Sequence, residues 1–313
     1  MTDTLRTATL LLGLCVVLMV FGNVVTPGFL SFSQIGTQLQ ISAFLGLFAL
    51  CQTFVLIVGG EGIDLSVGAT GSLGGIVGAA LLHGQDATVL PVAILMALAG
   101  GAVGAVNGLG IALFGVPPLV MTLAVASIVN GGLIIFESAV QPAIAASPFL
   151  VQLAGRATLG VPNIFLLWIV VGLAAVWFLS ATSWGRKVIG TGANPQVALL
   201  SGTHVMLVKI LVYALSGLVA ALSGFCLIGY VGAAFLGLGD AYVLSSIVVA
   251  VIGGTSLAGG RGSYVGVAAA AILITVLTSL LTTMQIGEAG RQIVFGCILI
   301  GFLLLNRRLD RQR

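Results

Sequence analysis

The chain is a succession of long apolar runs separated by short polar or glycine-rich breaks. The runs at 89–114 and 164–181 are almost continuous, close to or above the roughly 20 residues that a helix needs to span a bilayer. Strands of a membrane barrel would alternate apolar and polar residues instead. The pattern predicts an all-α polytopic membrane protein of about ten transmembrane helices, at roughly 8–25, 35–58, 66–83, 89–114, 118–136, 164–182, 205–229, 243–258, 264–283 and 291–306.

Composition strengthens this interpretation. Of the 313 residues, 59% are hydrophobic and 6% are charged, whereas soluble domains carry about 25% charged residues. The 45 glycines suit closely packed transmembrane helices, and Gly100, Gly104 and Gly108 recur at helical spacing. We therefore expect a single transmembrane domain over residues 1–313, surrounded by lipid and without a second soluble domain.

The distribution of basic residues predicts the orientation, because positive charge favours the cytoplasmic side. If the N-terminus is cytoplasmic, only Arg156 and Arg291 fall outside. We therefore expect both termini in the cytoplasm, the largest outer loop at about 137–163 and the largest inner loop at about 185–204. The basic residues expected inside are Arg6, Arg186, Lys187, Lys209, Arg261, Arg307, Arg308, Arg311 and Arg313.

The sequence lacks the residue patterns that several classes of protein function require. Lys187 and Lys209 do not lie in a Gly-x-x-x-x-Gly-Lys-Ser/Thr loop, so the chain is not expected to hydrolyse ATP by that mechanism. His83 and His204 are isolated, so neither a metal site nor a set of catalytic residues is expected. The scattered basic residues do not form the pattern of a nucleic-acid-binding surface. The function classes that remain are transport and passive conduction across the membrane.

The inner segment 185–202 interrupts the apolar pattern most clearly. Asn194 occupies an N-cap position, Pro195 the first helical position and Gly202 a stop position. These residues predict a short capped helix at the membrane surface. Such a helix is typical of an element that contacts a soluble partner.

The segment 59–68 places Asp64 and Ser66 beside a glycine cluster between two apolar spans. One interpretation is a capped helix start at the inner interface. The other is part of a gate or translocation lining, because a carboxylate inside the membrane is normally functional. Asp240 opens the eighth span with a similar sequence, which suggests an inverted pair of segments such as transporters contain.

The segment 252–263 carries two Gly-Gly pairs around a polar turn. We predict a tight turn on the inner face, formed by Gly253, Gly254, Thr255, Gly259, Gly260 and Arg261. Inside the spans, Asn107, Thr122 and Asn130 offer uncharged hydrogen-bonding groups. Such groups suit a polar solute such as a sugar, and they equally suit hydrogen bonds between helices.

Three segments together resemble the permease subunits of bacterial ribose-type ABC sugar importers. They are Glu-Gly-Ile-Asp-Leu-Ser-Val-Gly (61–68), Gly-Thr-Gly-Ala-Asn-Pro-Gln-Val-Ala-Leu-Leu-Ser-Gly (190–202) and Ala-Val-Ile-Gly-Gly-Thr-Ser-Leu-Ala-Gly-Gly-Arg-Gly-Ser (250–263). The stretch 116–123 is also similar to the family's turn into the fifth span. Two positions depart from the family pattern: Glu61 replaces a glycine, and Asp240-Ala-Tyr242 replaces Gly-Tyr-Glu.

The resemblance implies an ABC importer permease fold in the bacterial inner membrane and carbohydrate import driven by a separate subunit. It implies a second permease (a homo- or heterodimer), a cytoplasmic ATP-binding subunit that holds ATP and Mg²⁺, and a periplasmic sugar-binding protein. No cofactor is expected in this chain. The segment 190–202 would be the coupling helix that contacts the ATPase, with coupling residues Gly190, Gly192, Asn194, Pro195, Ala198, Ser201 and Gly202.

We therefore expect a permease that passes a monosaccharide, a pentose or hexose, inward by alternating access. Asp64, Ser66, Asn107, Thr122 and Asn130 are the candidate lining or gate residues. An ion-coupled secondary transporter that uses Glu61 or Asp64, and a scaffold or channel, are the alternatives. Within the favoured class, a nucleoside or a furanone-like signal is an alternative solute.

Overall fold

The computed structural model describes residues 2–60, 62–140, 146–155, 157–158 and 160–310. Glu61 and Arg156, together with part of the predicted outer loop, lie outside the described residues. The described chain is almost entirely helical, with one short antiparallel pair of strands, β1 (Ala157–Thr158) and β2 (Val161–Pro162). Its α-helices are α1 (Thr2–Val25), α2 (Phe32–Val58), α3 (Val67–Leu82), α4 (Val89–Phe114), α5 (Pro118–Val140), α6 (Pro148–Gly155), α7 (Asn163–Ala181), α8 (Ser183–Ala193), α9 (Pro195–Leu200), α10 (Val205–Val231), α11 (Ala241–Ile252), α12 (Tyr264–Thr283) and α13 (Glu288–Asp310).

Among the described residues, seven helices are long and apolar enough to cross a membrane: α1, α2, α4 with its preceding turn, α5, α7, α10 and α12. Two further apolar helices, α3 and α11, contain 16 and 12 residues. These helices confirm the prediction of an all-α multi-pass membrane protein. Exposed apolar side chains cover much of α1, α4, α5 and α7, as expected for surfaces that face lipid.

Three sequence predictions of element bounds need correction. The eighth span was predicted to continue to residue 258, but α11 ends at Ile252. Gly253 and Gly254 end it, since Gly254 has φ +93° and Gly253 packs against the backbone of Val267. The predicted outer loop 137–163 begins inside α5 and contains the short helix α6. Most of helix α8 (Ser183–Ala193), which was not predicted, falls within the inner loop predicted at about 185–204.

The core forms around α2 and α10. In the apolar window of α2, 94% of the residues are buried, and α10 packs against α3 and α4. Glycines permit this close packing: a Cβ on Gly104 would come within 2.7 Å of the carbonyl carbon of Tyr213, and one on Gly108 within 2.6 Å of Cα of Ile210. The helix-packing interpretation of the regularly spaced glycines is thereby confirmed.

Candidate functional site

A buried polar cluster lies where the α2–α3 link meets α4 and α10. The Oδ1 atom of Asp64 accepts hydrogen bonds from the backbone N–H and the hydroxyl of Ser66, at 2.9 and 2.6 Å. Its Oδ2 atom accepts one from the Ser216 hydroxyl at 2.9 Å. Asn107 Nδ2 donates to Ser66 Oγ at 2.8 Å. All four side chains are buried. The carboxylate is bound by uncharged donors of the link and of α10, and Asn107 of α4 reaches it only through Ser66.

Neighbouring polar side chains also form hydrogen bonds with backbone atoms of the α2–α3 link. Gln52 Nε2 donates to the Asp64 carbonyl at 2.6 Å, and Gln52 Oε1 accepts from the Asp64 N–H at 3.2 Å. Thr122 Oγ1 accepts from the N–H of Leu65 at 3.1 Å. Asp64, Ser66, Asn107 and Thr122, which were predicted from sequence, therefore lie together. Asn130 does not join them: it is half-buried eight residues further along α5, about 12 Å away along the helix.

The carboxylate of Asp64 lies in the interior of the helical bundle. Its partner Ser216 is eleven residues past Val205, the first residue of α10, or about 16 Å along that helix. Asn107 is seven residues before Phe114, the last residue of α4, or about 10 Å. The link therefore returns into the bundle before α3 begins, and Ser66 makes no side-chain capping bond. A helix start simply capped at the interface does not describe this geometry.

The starts of the two short helices meet inside the bundle. A Cβ on Gly239, just before α11, would lie 2.9 Å from Cα of Gly68 at the start of α3. The N–H of Gly239 donates to Ser72 Oγ of α3 at 3.0 Å. Asp240, which opens the second segment of the predicted inverted pair, is exposed at the start of α11 and binds none of the residues of the buried polar cluster.

A glycine junction joins three of the sequence segments that carried the predictions. We define it by Gly59, Gly192, Gly259 and Gly260. A Cβ on Gly59 would lie 2.9 Å from Cα of Gly192, and one on Gly259 would lie 2.5 Å from Cα of Gly59. Gly260 donates its N–H to the Ile57 carbonyl at 2.9 Å. The ends of α2 and α8 and the α11–α12 turn thus touch through their backbones.

The α8–α9 pair projects from this junction. Thr182 Oγ1 caps α8 by accepting a hydrogen bond from the Gly185 N–H. Gly190 and Gly192 lie within α8 rather than in a loop. Asn194 Oδ1 caps α9 by accepting from the N–H groups of Gln196 and Val197, at 3.0 and 3.1 Å. Pro195 is the first residue of α9, and Ala198 is buried against the rest of the protein. At the end of the helix, the Ser201 hydroxyl donates a hydrogen bond to the Val197 carbonyl, and Gly202 adopts a positive φ of +80°.

The surface of α9 exposes three large apolar side chains. Val197, Leu199 and Leu200 are 57%, 62% and 87% exposed. Beside them, a groove of about 450 Å³ between α8 and α9 is lined by Arg186 and Lys187 together with Asn194. Contiguous exposed apolar side chains rimmed by polar groups mark surfaces that bind another protein or a membrane.

The α11–α12 turn is compact. Thr255 donates its N–H to Ala250 at 3.0 Å, Ser256 donates its N–H to the Arg261 carbonyl at 2.9 Å, and Gly259 donates to Ser256 at 3.1 Å. Thr255 is buried and its hydroxyl lacks a partner, while Arg261 is exposed. The predicted turn residues Gly253, Gly254, Thr255, Gly259, Gly260 and Arg261 all lie in it.

A cavity that the sequence did not predict lies near the start of α2, at the opposite end of that helix from the glycine junction. This α2–α12 cavity measures about 420 Å³ and lies between α2, α11, α12 and α13. Gln38, Tyr242, Ser245, Thr275, Ser279 and Arg291 are among its lining residues. The signal in the sequence was a series of hydroxyl residues on one face of α12, at 275, 278, 279, 282 and 283. Within the described part of the chain, no three metal-binding side chains converge.

A non-helical link that enters the interior of a multi-pass helical bundle is typical of membrane transporters. The chain belongs to the family described as branched-chain amino acid transport system / permease component, whose model matches residues 34–303. It is 32% identical to the ribose import permease protein RbsC of Bacillus subtilis, over 93% of this chain and 90% of the relative.

Other relatives are named as import permeases for different sugars. The chain is 30% identical to the galactose/methyl galactoside import permease protein MglC of Escherichia coli, over 94% of this chain and 93% of the relative. It is 31% identical to the fructose import permease protein FrcC of Rhizobium meliloti, over 90% of this chain and 80% of the relative. No solved structure matches the chain.

Proposed function

We propose that this chain is the membrane-spanning permease subunit of an ATP-driven importer that passes a monosaccharide from the periplasm to the cytoplasm. Its family and the names of its ribose, galactose and fructose relatives support this proposal. The chain would act as one transmembrane domain over 1–313 in the bacterial inner membrane, with both termini cytoplasmic. A second permease would pair with it, and a periplasmic sugar-binding protein would deliver the solute.

In this proposal the α8–α9 pair is the contact with a separate ATPase, which binds ATP and Mg²⁺. The three exposed apolar residues of α9 would enter a groove of that subunit. Burying exposed apolar surface is the main driving force of most protein association, and the capping by Asn194 keeps the short helix formed when it is free.

The backbone contacts at the glycine junction are the main observation that supports the coupling role. Because Gly192 touches Gly59 and Gly260 through backbone atoms, a displacement of α8 cannot occur without moving the end of α2 or the α11–α12 turn. From Gly59 the chain continues directly into the link held at Asp64. A movement of α9 would thereby reach the polar cluster inside the membrane, and the energy of ATP hydrolysis would change which side of the pathway is open.

The test is co-purification from the native membrane together with sugar uptake by cells. Leu200→Asp is expected to abolish uptake and the recovery of the ATPase while leaving membrane insertion intact, whereas Leu200→Met retains both. Deletion of 194–202 is expected to have the same effect as Leu200→Asp. Normal uptake after the deletion would refute the coupling role. If the chain alone concentrates solute under an ion gradient, an ion-coupled carrier replaces the ABC proposal.

A further inference from the structure

The α2–α12 cavity has the size and chemistry of a solute site. Its volume of about 420 Å³ falls within the roughly 300–1,000 Å³ typical of small-molecule sites. Its rim is open, since Thr37 and Glu288 are exposed there. Ten of its lining residues carry a hydroxyl or amide group within a largely apolar wall, to which Ile41, Leu45 and Phe295 contribute.

Two deeply buried side chains of this wall lack hydrogen-bond partners. Gln38 of α2 and Thr275 of α12 are each 3% exposed. Both amide atoms of Gln38 and the hydroxyl of Thr275 are unpaired, although other hydroxyls on α12 bond to their own helix. Unpaired buried polar atoms are unfavourable and rare. A bound solute with several hydroxyl groups would satisfy all three atoms, because an amide and a hydroxyl both donate and accept.

The charges of the cavity favour an uncharged solute. The charged side chains among its described lining residues are Glu288 and Arg291, which pair with each other; Glu288 also accepts from Gln292. An amino acid would need free partners for its carboxylate and its ammonium group. The Tyr242 ring, stacked on Phe48 with centroids 4.7 Å apart, adds a flat apolar surface on which the C–H face of a sugar ring can lie.

We propose that the α2–α12 cavity is a monosaccharide-binding site on the import route, in which Gln38 and Thr275 exchange hydrogen bonds with sugar hydroxyls. This inference rests on the proposed function and adds the place and the chemistry of one solute contact. It also favours one of two solute classes: the sugars in the names of the relatives, rather than the branched-chain amino acids in the family description.

Thiol protection measures this binding without the periplasmic protein. Ser245 lines the cavity, so Ser245→Cys is labelled with a maleimide in purified full-length chain, and the reaction of the unmodified chain is subtracted. Ribose, galactose, fructose and leucine are each tested as protectants. We expect at least one sugar to slow labelling and leucine to have no effect.

The same assay then tests Gln38→Leu and Thr275→Val, each combined with Ser245→Cys. Each is expected to raise the sugar concentration needed for half-protection by about three- to tenfold, the loss expected for one hydrogen bond. Thr70→Val is the matched control, because the Thr70 hydroxyl is also buried and unpaired but lies outside the cavity. It should leave protection unchanged.

The outcomes separate the two proposals. If wild-type cells import a sugar with ATP but no sugar protects Ser245→Cys, the cavity inference is overturned and the proposed function stands. Protection by leucine alone overturns the solute class. If wild-type cells import none of the three sugars, the proposed function itself fails. Should both cavity variants fail to accumulate, protection of the parent Ser245→Cys chain still decides whether the cavity binds sugar.

Discussion

The backbone N–H of Gly260 donates a hydrogen bond of 2.9 Å to the carbonyl oxygen of Ile57. The bond joins the end of α2 to the α11–α12 turn, and Gly192 of α8 packs beside it, with its Cα 2.9 Å from the position of a Cβ on Gly59. Three segments far apart in sequence therefore share one backbone contact, beside the helix pair that we propose to bind an ATPase. The first prediction tests this contact.

Gly192→Ala should uncouple the chain. The added Cβ would overlap the Ile57 carbonyl and lie 2.6 Å from the Gly260 N atom, so the junction must separate. Such overpacking costs about 1–3 kcal/mol. We expect sugar uptake to fall about tenfold or more while the ATPase still co-purifies. Gly132→Ala on α5 is the control, because nothing lies within 4 Å of its Cβ position and the residue lies outside the α8–α9 pair. Equal uptake by the two variants would contradict the coupling role of the junction.

Asn194→Ala should weaken ATPase binding. The substitution removes both capping hydrogen bonds of α9, which contribute about 1 kcal/mol together. A six-residue helix has little else to keep it formed. We expect the dissociation constant for the ATPase subunit, measured on the purified chain, to rise roughly fivefold. Asn194→Asp retains a capping acceptor and should bind nearly as the wild type does; a loss of the same size in both variants would point to a direct contact instead.

Asp64→Ala should destabilise the bundle. It removes the acceptor for Ser66 and Ser216, both buried, and leaves their donors unpaired. Each unpaired buried donor costs about 1–3 kcal/mol. We expect a lower temperature of thermal unfolding in detergent, with a smaller decrease for the isosteric Asp64→Asn. If Asp64→Asn instead keeps its stability but loses all ion-driven uptake, the titrating role of an ion-coupled carrier is supported.

Gly239→Ala should disturb the meeting of α3 and α11. Its Cβ would lie 2.9 Å from Cα of Gly68 and closer still to the Gly68 carbonyl, so the two helix starts must move apart. We expect a loss of about 1–3 kcal/mol in the free energy of unfolding, measured by denaturant titration in detergent. Gly131→Ala on α5, with open space at its Cβ position, serves as the control. An unchanged stability of Gly239→Ala would show that this contact yields easily.

Much of the fold could be predicted from local patterns. Apolar runs indicated the membrane helices, because the bilayer requires uninterrupted apolar length and a hydrogen-bonded backbone. The cap at Asn194 and the stop at Gly202 indicated α9, because capping depends on a few neighbouring residues. The helix α8 escaped prediction since its polar and glycine residues resemble a loop, and its helical state rests on capping by Thr182 and packing at the junction.

The sequence by itself determined the membrane class, most helix bounds and the residue types of the polar cluster, because these follow from local hydropathy and hydrogen-bonding capacity. Only the tertiary structure decided which polar residues meet. It brought Asp64 to Ser216, which lies 152 positions away in the chain, left Asn130 apart, and placed Gln38 and Thr275 in the wall of one cavity. Such pairings depend on the relative rotation and depth of packed helices, and these are set by contacts distant in sequence that no local pattern encodes.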